Sequence, residues 1–485
     1  MNKYVFPKDL REGILSAIPE QSSQHGKALS LGQTYLPVAH AKALDPDVML
    51  VEGMRGAGKS VWFIALQQPE LRRWLGNSTG ISEDTYVTVG FGEAPRGDDF
   101  PTKDTLIAAV KSFEPRLIWK TVVFRQISKA KAPKTFLRLT KWADRISWVK
   151  EHPEETDALL YKIDEELQAK GLHHLVLFDA LDRTADDWTT MNLLVRGLLQ
   201  VVLDMRSSQR LRLKVFVRPD QLADSATRNF PDASKVLNGA AILEWSRRDL
   251  FGLLWQYLAN DPIAGPIFRG GIEQIAPKIR WSEIFGTWNV PVELNQDEDI
   301  QKEIFHAITG PWMGRDQRRG FPYSWLPSHL CDANGKASPR SFLAALRHAT
   351  LDDAHGDHDH VLHFESIKRG VQEASKIRVG ELEEDFPWMS NLFKPLKGVT
   401  VPCLFLDIEN AWQEHQVIET LLQKVKAKTL RLPPQRLKLG AIGVLQDLLE
   451  LGFIEQLKDK RINLPDVYRV GYGLGRRGGV RPLKG

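Results

Sequence analysis

Residues Asp47-Val48-Met49-Leu50-Val51-Glu52-Gly53-Met54-Arg55-Gly56-Ala57-Gly58-Lys59-Ser60 constrain this 485-residue chain more than any other stretch. The apolar run reads as a buried strand. Gly53 to Ser60 then matches G-x-x-x-x-G-K-[ST]. Glycines let successive backbone N–H groups turn inward around phosphates, and a following helix adds positive potential at its N-terminus. Val61-Trp62-Phe63-Ile64-Ala65-Leu66 begins that helix. In such a loop the lysine reaches the β- and γ-phosphates and the hydroxyl ligates Mg²⁺. The expected nucleotide-contacting set is therefore Gly53, Gly56, Ala57, Gly58, Lys59, Ser60 and Val61, with Ser60 also on the metal. No clear NKxD-like guanine-specifying motif follows the fourth strand, which favours ATP over GTP as the cofactor beside Mg²⁺.

Leu175-Val176-Leu177-Phe178-Asp179-Ala180-Leu181-Asp182-Arg183 is the natural partner. A strand ending in an acid beside a phosphate loop is what Mg²⁺ coordination requires, so Asp179 is the second metal candidate. Asp182 is placed to orient or deprotonate an attacking water. Without the glycine loop, the same residues would read as a solvated turn. Arg218 follows another apolar run, Leu213 to Val217, and ligands of a parallel sheet sit beyond the carboxyl ends of its strands. A cation there senses the γ-phosphate, or is simply an exposed strand end. Ser338-Pro339-Arg340 opens a helix, with Ser338 as N-cap and Pro339 in the first position. Arg340 then opposes the helix dipole, which suggests a task such as reaching the nucleotide, although a surface arginine fits too. Arg125, Arg228, Arg247 and Arg248 are candidate trans-acting arginines, and nothing in the sequence chooses among them.

Further strands are expected at 86–91 and 241–243, with helices near 103–128, 154–170 and 188–206. This alternation predicts a mostly parallel sheet covered on both faces, over 47–245. The expected fold is α/β: a P-loop NTPase parallel sheet with a helical lid and a C-terminal winged-helix-like domain. Its divisions fall at 1–46 (a wrap around the first domain), 47–248 (the core), 249–395 (the helical lid) and 396–485.

The last division reads as a strand-like 399–406, a helix with Leu437, Ile442, Leu445, Leu448 and Leu449 on one side, Gly452 as its stop, and a hairpin around Lys458 to Arg461. Residues 461–485 carry Arg461, Arg469, Arg476, Arg477, Arg481 and Lys484 against Asp466, a local +5 beside the whole chain's +4. Such a basic wing suits phosphate contacts with duplex DNA, and equally a protein-docking module with a solvated tail. His355, His358, His360 and His363 alternate with aspartates, a metal-binding pattern or a polar loop. Two isolated cysteines, Cys331 and Cys403, fit a reducing compartment. No signal-like segment opens the chain and no apolar run is long enough to cross a membrane, so a cytoplasmic protein with no membrane partner is expected.

The runs GMRGAGKS, LVLFDALDR, KVFVRPD, ILEW and SPRSFLAAL together resemble the P-loop ATPases of the AAA+ and STAND type, over roughly 47–350. LVLFDALDR is close to the hhhhDxLDR strand of the KAP and STAND branches. The resemblance implies Mg²⁺ and water-activating roles for Asp179 and Asp182. It implies a sensor-1-like role for Arg218, a sensor-2-like role for Arg340, and a possible homo-oligomer. INLPDVYRVGYGLGRRGGV resembles the winged-helix ends of bacterial ATPases of conflict and anti-phage systems. AAA+ proteins more often place a glutamate beside the first acid. Here the second acid stands three residues on, which implies slow or partner-stimulated hydrolysis. The expected function is an ATP-hydrolysing switch or assembly ATPase in anti-phage defence, acting with a separate effector or sensor protein. The alternative is an initiator- or loader-like DNA-binding ATPase, and a third reading is a scaffold that only binds ATP.

Overall fold

Five short runs of β-branched and aromatic residues pair into one sheet, and their order decides where any ligand sits. The strands are β1 (Leu50–Glu52), β2 (Tyr86–Phe91), β3 (His174–Phe178), β4 (Leu211–Val217) and β5 (Ala241–Ile242). All pairings are parallel, in the order β2-β3-β4-β1-β5. Every residue of β3 is buried, as expected for a strand covered on both faces. The computed structural model describes residues 5–20, 29–94, 97–355, 358–477 and 480–482.

The chain divides into two compact units, Leu36–Glu244 and Trp245–Gly485 with the first 35 residues. In the sheet unit, the helix Pro115–Ser128 presents Trp119 edge-on to Phe91 and Phe178, with ring centroids 5.8 and 5.7 Å away. The Trp119 indole donates to the Leu194 carbonyl (2.8 Å) of the helix Trp188–Met205, which locks the two helices together.

The other unit is mainly helical. Its core is aromatic: Phe251 meets Phe305, Tyr323 and Phe342 at 4.4–5.1 Å between centroids. The helix α1 (Leu10–Ala17) buries Leu10, Ile14 and Ala17 in this same core. Arg11 donates to the carbonyls of Thr350 (3.0 Å) and Asp352 (2.7 Å) at the end of the helix Pro339–Leu351. The first 35 residues thus group with the helical unit, because that is where their apolar face finds partners. After residue 281 come an antiparallel hairpin, Ser282–Ile284 with Thr287–Asn289, and the helices Val292–Gln296, Glu298–Thr309 and Pro322–Ser328.

The strand expected at 399–406 is shorter. The strand is Thr400–Val401, pairing in parallel with Gly475–Arg476. Beyond Pro402, Cys403 exchanges backbone hydrogen bonds with Ile462 instead (3.0 and 2.7 Å). The Asp407 carboxylate accepts the Leu404 N–H (3.0 Å) and starts the helix Phe405–Glu414. The helix Gly440–Glu450 leads to Gly452, at φ 72°, and to a hairpin pairing Glu455–Gln456 with Ile462–Asn463. Ile442, expected on one side with Leu448, does not share its burial. Leu437 and Leu448 are buried, and Ile442 is 58% exposed.

Candidate nucleotide site

β1 lies between β4 and β5, so the consecutive strands β1 and β2 are far apart in the sheet, and ligands of such open sheets bind beyond the carboxyl ends of the strands where the order switches. The loop after β1 starts with the Gly53 N–H donating to the Val217 carbonyl (3.0 Å), which prolongs the β1–β4 ladder by one residue. Gly56 and Gly58 then take φ of 81° and 103°, a region that L side chains avoid. The helix α3 (Lys59–Ala65) begins immediately after. Strand, left-handed glycines and helix N-terminus thus fall in the order a phosphate cradle needs.

Lys59 curls back over its own loop, donating to the carbonyls of Gly53 (2.6 Å) and Met54 (3.0 Å). Burial, with a smaller contribution from Arg218, lowers its pKa to about 8 against the opposing pull of Asp179. Asp179 leaves β3 buried, with its N–H donating to the Phe91 carbonyl (3.1 Å). Burial raises the pKa of its carboxyl, while Lys59 and a hydrogen bond from the Ser60 hydroxyl pull the other way. The two metal candidates, Ser60 and Asp179, are therefore in direct contact. A hydroxyl and a carboxylate are hard oxygen donors, the kind Mg²⁺ takes, so the residues fit the ion.

Ala180 sits at φ 56°, turning the chain sharply into the short turn Leu181–Arg183 that carries Asp182. β4 lies between β1 and β3, so Arg218 emerges between the glycine loop and Asp179. Its guanidinium is held bidentately by Asp220 (3.0 and 2.7 Å) and stands 3.9 Å from Asp182. Arg218 is buried rather than an exposed strand end. Val61 projects from the first turn of α3 and is exposed.

Arg340 belongs to the other unit. It lies in the first turn of Pro339–Leu351, and its guanidinium meets Glu381 of the helix Phe364–Asp385 at 2.7 Å. That carboxylate offsets the unfavourable helix dipole locally. Among the trans-acting candidates, Arg228 donates to the Ala223 carbonyl (3.0 Å), Arg248 donates to that of Gln296 (3.1 Å), and Arg247 stands 3.8 Å from Glu298. Arg125 is half-buried in Pro115–Ser128. These contacts select none of the four.

The basic tail is thinner than its composition suggested. Arg469 is fully buried, donating to Asp466 (2.7 Å), to the Leu474 carbonyl (2.9 Å) and to the Val480 carbonyl (2.5 Å). Burial works against ionisation of Asp466, yet hydrogen bonds from His329 and Arg469 hold its carboxyl below the usual carboxylate range. Arg461 pairs with Asp459 at 2.7 Å and Arg476 with Asp466 at 3.3 Å. Lys484 lies outside the described residues. The His355 and His363 rings stack at 4.9 Å. Among the described residues no group of three or more metal-ligating side chains is assembled, and Asp357 lies outside them. No described helix is long and apolar enough to cross a membrane.

Two features near the site escaped the sequence. Arg183 of the LDR run meets Glu93, just past β2, at 2.5 Å; an acid two residues beyond a strand facing that run was the available signal. His40, on the helix α2 (Val38–Leu44), accepts from the Trp62 indole of α3 through Nδ1 (3.1 Å). Its Nε2–H then donates to the Glu244 carbonyl at 3.1 Å. No spacing in the sequence connects these three residues.

No family model and no curated protein matches the chain. A solved structure of the Aeropyrum pernix ORC2 protein, in ADPNP–ADP complexes, is 13% identical with a TM-score of 0.35, covering 93% of this chain and 91% of that one. The crystal structure of Cdc6p from Pyrobaculum aerophilum is 14% identical with a TM-score of 0.27, covering 87% and 83%. Likeness at this level says nothing of what this chain binds.

Proposed function

We propose that this chain binds and hydrolyses ATP and works as a molecular switch or assembly ATPase. The observation that carries the reading is the convergence of Lys59, Ser60 and Asp179 behind a loop with left-handed Gly56 and Gly58. In this reading the backbone around Gly53, Gly56, Ala57 and Gly58 holds the phosphates, and the N-terminus of α3 at Lys59, Ser60 and Val61 faces them. Lys59 exchanges its loop carbonyls for phosphate oxygens. Ser60 and Asp179 hold Mg²⁺, which when bound neutralises phosphate charge. Asp182 orients water and receives its proton. Arg218 acts as the sensor-1-like cation, with its charge balanced by Asp220. Arg340 is assigned the sensor-2-like role by resemblance alone.

A separate effector or sensor partner and an anti-phage setting rest on the LVLFDALDR and C-terminal resemblances. The initiator- or loader-like alternative, with duplex DNA bound by a winged-helix-like module, is favoured by the hairpin after Gly440–Glu450 and the exposed Lys458 and Lys460 at its turn. The burial of Arg469 and the pairing of Arg461 weaken it.

ATP turnover by the purified chain, with Lys59→Ala and Asp182→Ala, with and without duplex DNA, tests these readings. Lys59→Ala is expected to reduce turnover by ~100-fold or more, as loss of a phosphate clamp does. Stimulation by DNA favours the alternative. Turnover that survives in both variants would sink the assignment.

A further inference from the structure

We propose that the C-terminal helices Val417–Lys426 and Gly440–Glu450 form a docking surface for an acidic, amphipathic segment of a partner protein. The starting observation is a helix that is apolar on both sides. Gly440–Glu450 buries Gly443, Val444 and Leu448, as a surface helix should. Its outward side carries aliphatic residues beside the exposed Gln446 and Glu450: Ile442 is 58% exposed, the preceding Leu439 is 66% exposed, and Leu445 and Leu449 are half-buried. A surface helix ordinarily turns polar residues to water, so a second apolar stripe marks a contact face.

Val417–Lys426 repeats the pattern. Val417 and Leu421 go inward, while Ile418, Leu422 and Val425 follow at i, i+4 and i+7, the first half-buried and the others exposed. These three fall on one side of the helix. The short turn Leu437–Leu439 packs against both helices, Val417–Lys426 and Gly440–Glu450, and joins the two.

Charge specifies the occupant. Residues 417–446 contain Lys424, Lys426, Lys428, Arg431, Arg436 and Lys438 against one acid, Glu419. Arg436 is held by Asp447 and Glu450 at 2.8 and 2.7 Å. Lys426, Lys428 and Lys438 are exposed. Aliphatic anchors rimmed by lysines suit a helix with leucine-like residues on one face and carboxylates beside them. Nucleic acid fits less well. Residues 417–450 include no aromatic side chain for stacking bases, and Gly440–Glu450 bears no cation and two acids, Asp447 and Glu450.

The probe is a fluorescent, helix-forming peptide of about 20 residues with leucines at i, i+3, i+4 and i+7 and glutamates flanking them. A second peptide replaces each glutamate by lysine. Anisotropy with the full chain should give saturable binding to the acidic peptide only. Leu422→Ser with Ile442→Ser, and separately Lys426→Glu with Lys428→Glu and Lys438→Glu, should each weaken it ~10-fold or more. These positions are exposed, and thermal melts check that the variants fold. Lys59→Ala should bind the peptide like wild type, so the surface is judged independently of nucleotide chemistry. No binding to the acidic peptide, or binding unaffected by either set, overturns the proposal. So does duplex DNA binding that is lost with the lysines while the serine variants leave it intact.

Discussion

Two lysines of the sheet unit turn their ammonium groups away from water, and they are held very differently. Lys59 donates to Gly53 and Met54, carbonyls of its own loop. Lys214, in the middle of β4, donates to the carbonyls of Ala43 (2.7 Å), Asp45 (2.8 Å) and Val48 (2.5 Å), at and just beyond the end of α2. Burial lowers the pKa of both, Lys59 to about 8 and Lys214 to about 7, although three carbonyl acceptors favour a charged Lys214. Lys59 can leave its carbonyls by rotating toward a phosphate. Lys214 cannot leave without uncovering the Ala43 carbonyl in the last turn of α2 and the Val48 carbonyl beyond it. A buried, shifted cation is therefore no signature of function in itself; what its partners would lose on release is the better guide.

The sharpest way to break this comparison is to remove each ammonium in turn. Lys214→Met removes the donor shared by the Ala43, Asp45 and Val48 carbonyls, of which Asp45 keeps the Val48 N–H (3.0 Å), and should cost about 3 kcal/mol of unfolding free energy, read as a lower urea midpoint. Lys59→Met should cost under about 1 kcal/mol, because its carbonyls can be hydrated, and should abolish ATP binding. Equal losses of stability would show that both lysines are structural.

The same contrast explains what could be read from sequence. The P-loop is contiguous, so strand, glycines and helix start constrain one another within eight residues, and Asp179 follows from a strand end. Lys214 is one polar residue in an apolar strand, and its acceptors lie some 170 residues upstream. Arg469 was counted with the basic tail, yet it is enclosed by Asp466, Leu474 and Val480. Ile442 shows a different limit. When a helix is apolar on two sides, periodicity cannot say which side faces the core. The run that composition alone extended to Leu406 is cut by tertiary partners instead: Thr400–Val401 pairs with Gly475–Arg476, Cys403 turns to Ile462, and the helix starts at Phe405.

The helix α2 is tied to β4 by Lys214 and to α3 by His40, so His40 sharpens the comparison from the opposite side. Burial lowers its pKa from the ordinary 6.5 to about 4. As pH falls through this window the unfolded chain takes up the proton first. The neutral, hydrogen-bonded His40 thus contributes stability present above about 6.5 and lost as pH falls toward 4, roughly 3 kcal/mol in full. His174, buried on β3 and also lowered to about 4, acts in the same window. His40→Phe should be less stable at neutral pH and lose stability less steeply between pH 6.5 and 4 than wild type. Parallel curves would mean that His40 is not held neutral.

The smallest effect is the most specific to Lys59. With its pKa lowered to about 8, a fraction of the ammonium is deprotonated at mildly alkaline pH. Phosphate oxygens favour the charged form, so binding MgATP raises this pKa and the complex holds more protons than the free chain. Calorimetry in buffers of different ionisation enthalpy should show uptake of roughly half a proton or more near pH 8.5 and almost none near pH 6.5. Lys59→Arg stays charged throughout and should bind without that uptake. Asp179 works with the opposite sign: its pKa is raised, and a cation displaces whatever proton it carries, so release should replace uptake toward acid pH and disappear in Asp179→Asn. Uptake that is flat across pH in the wild type would mean that Lys59 keeps its proton in the free loop. Its burial would then be as inert chemically as the comparison with Lys214 says it is not.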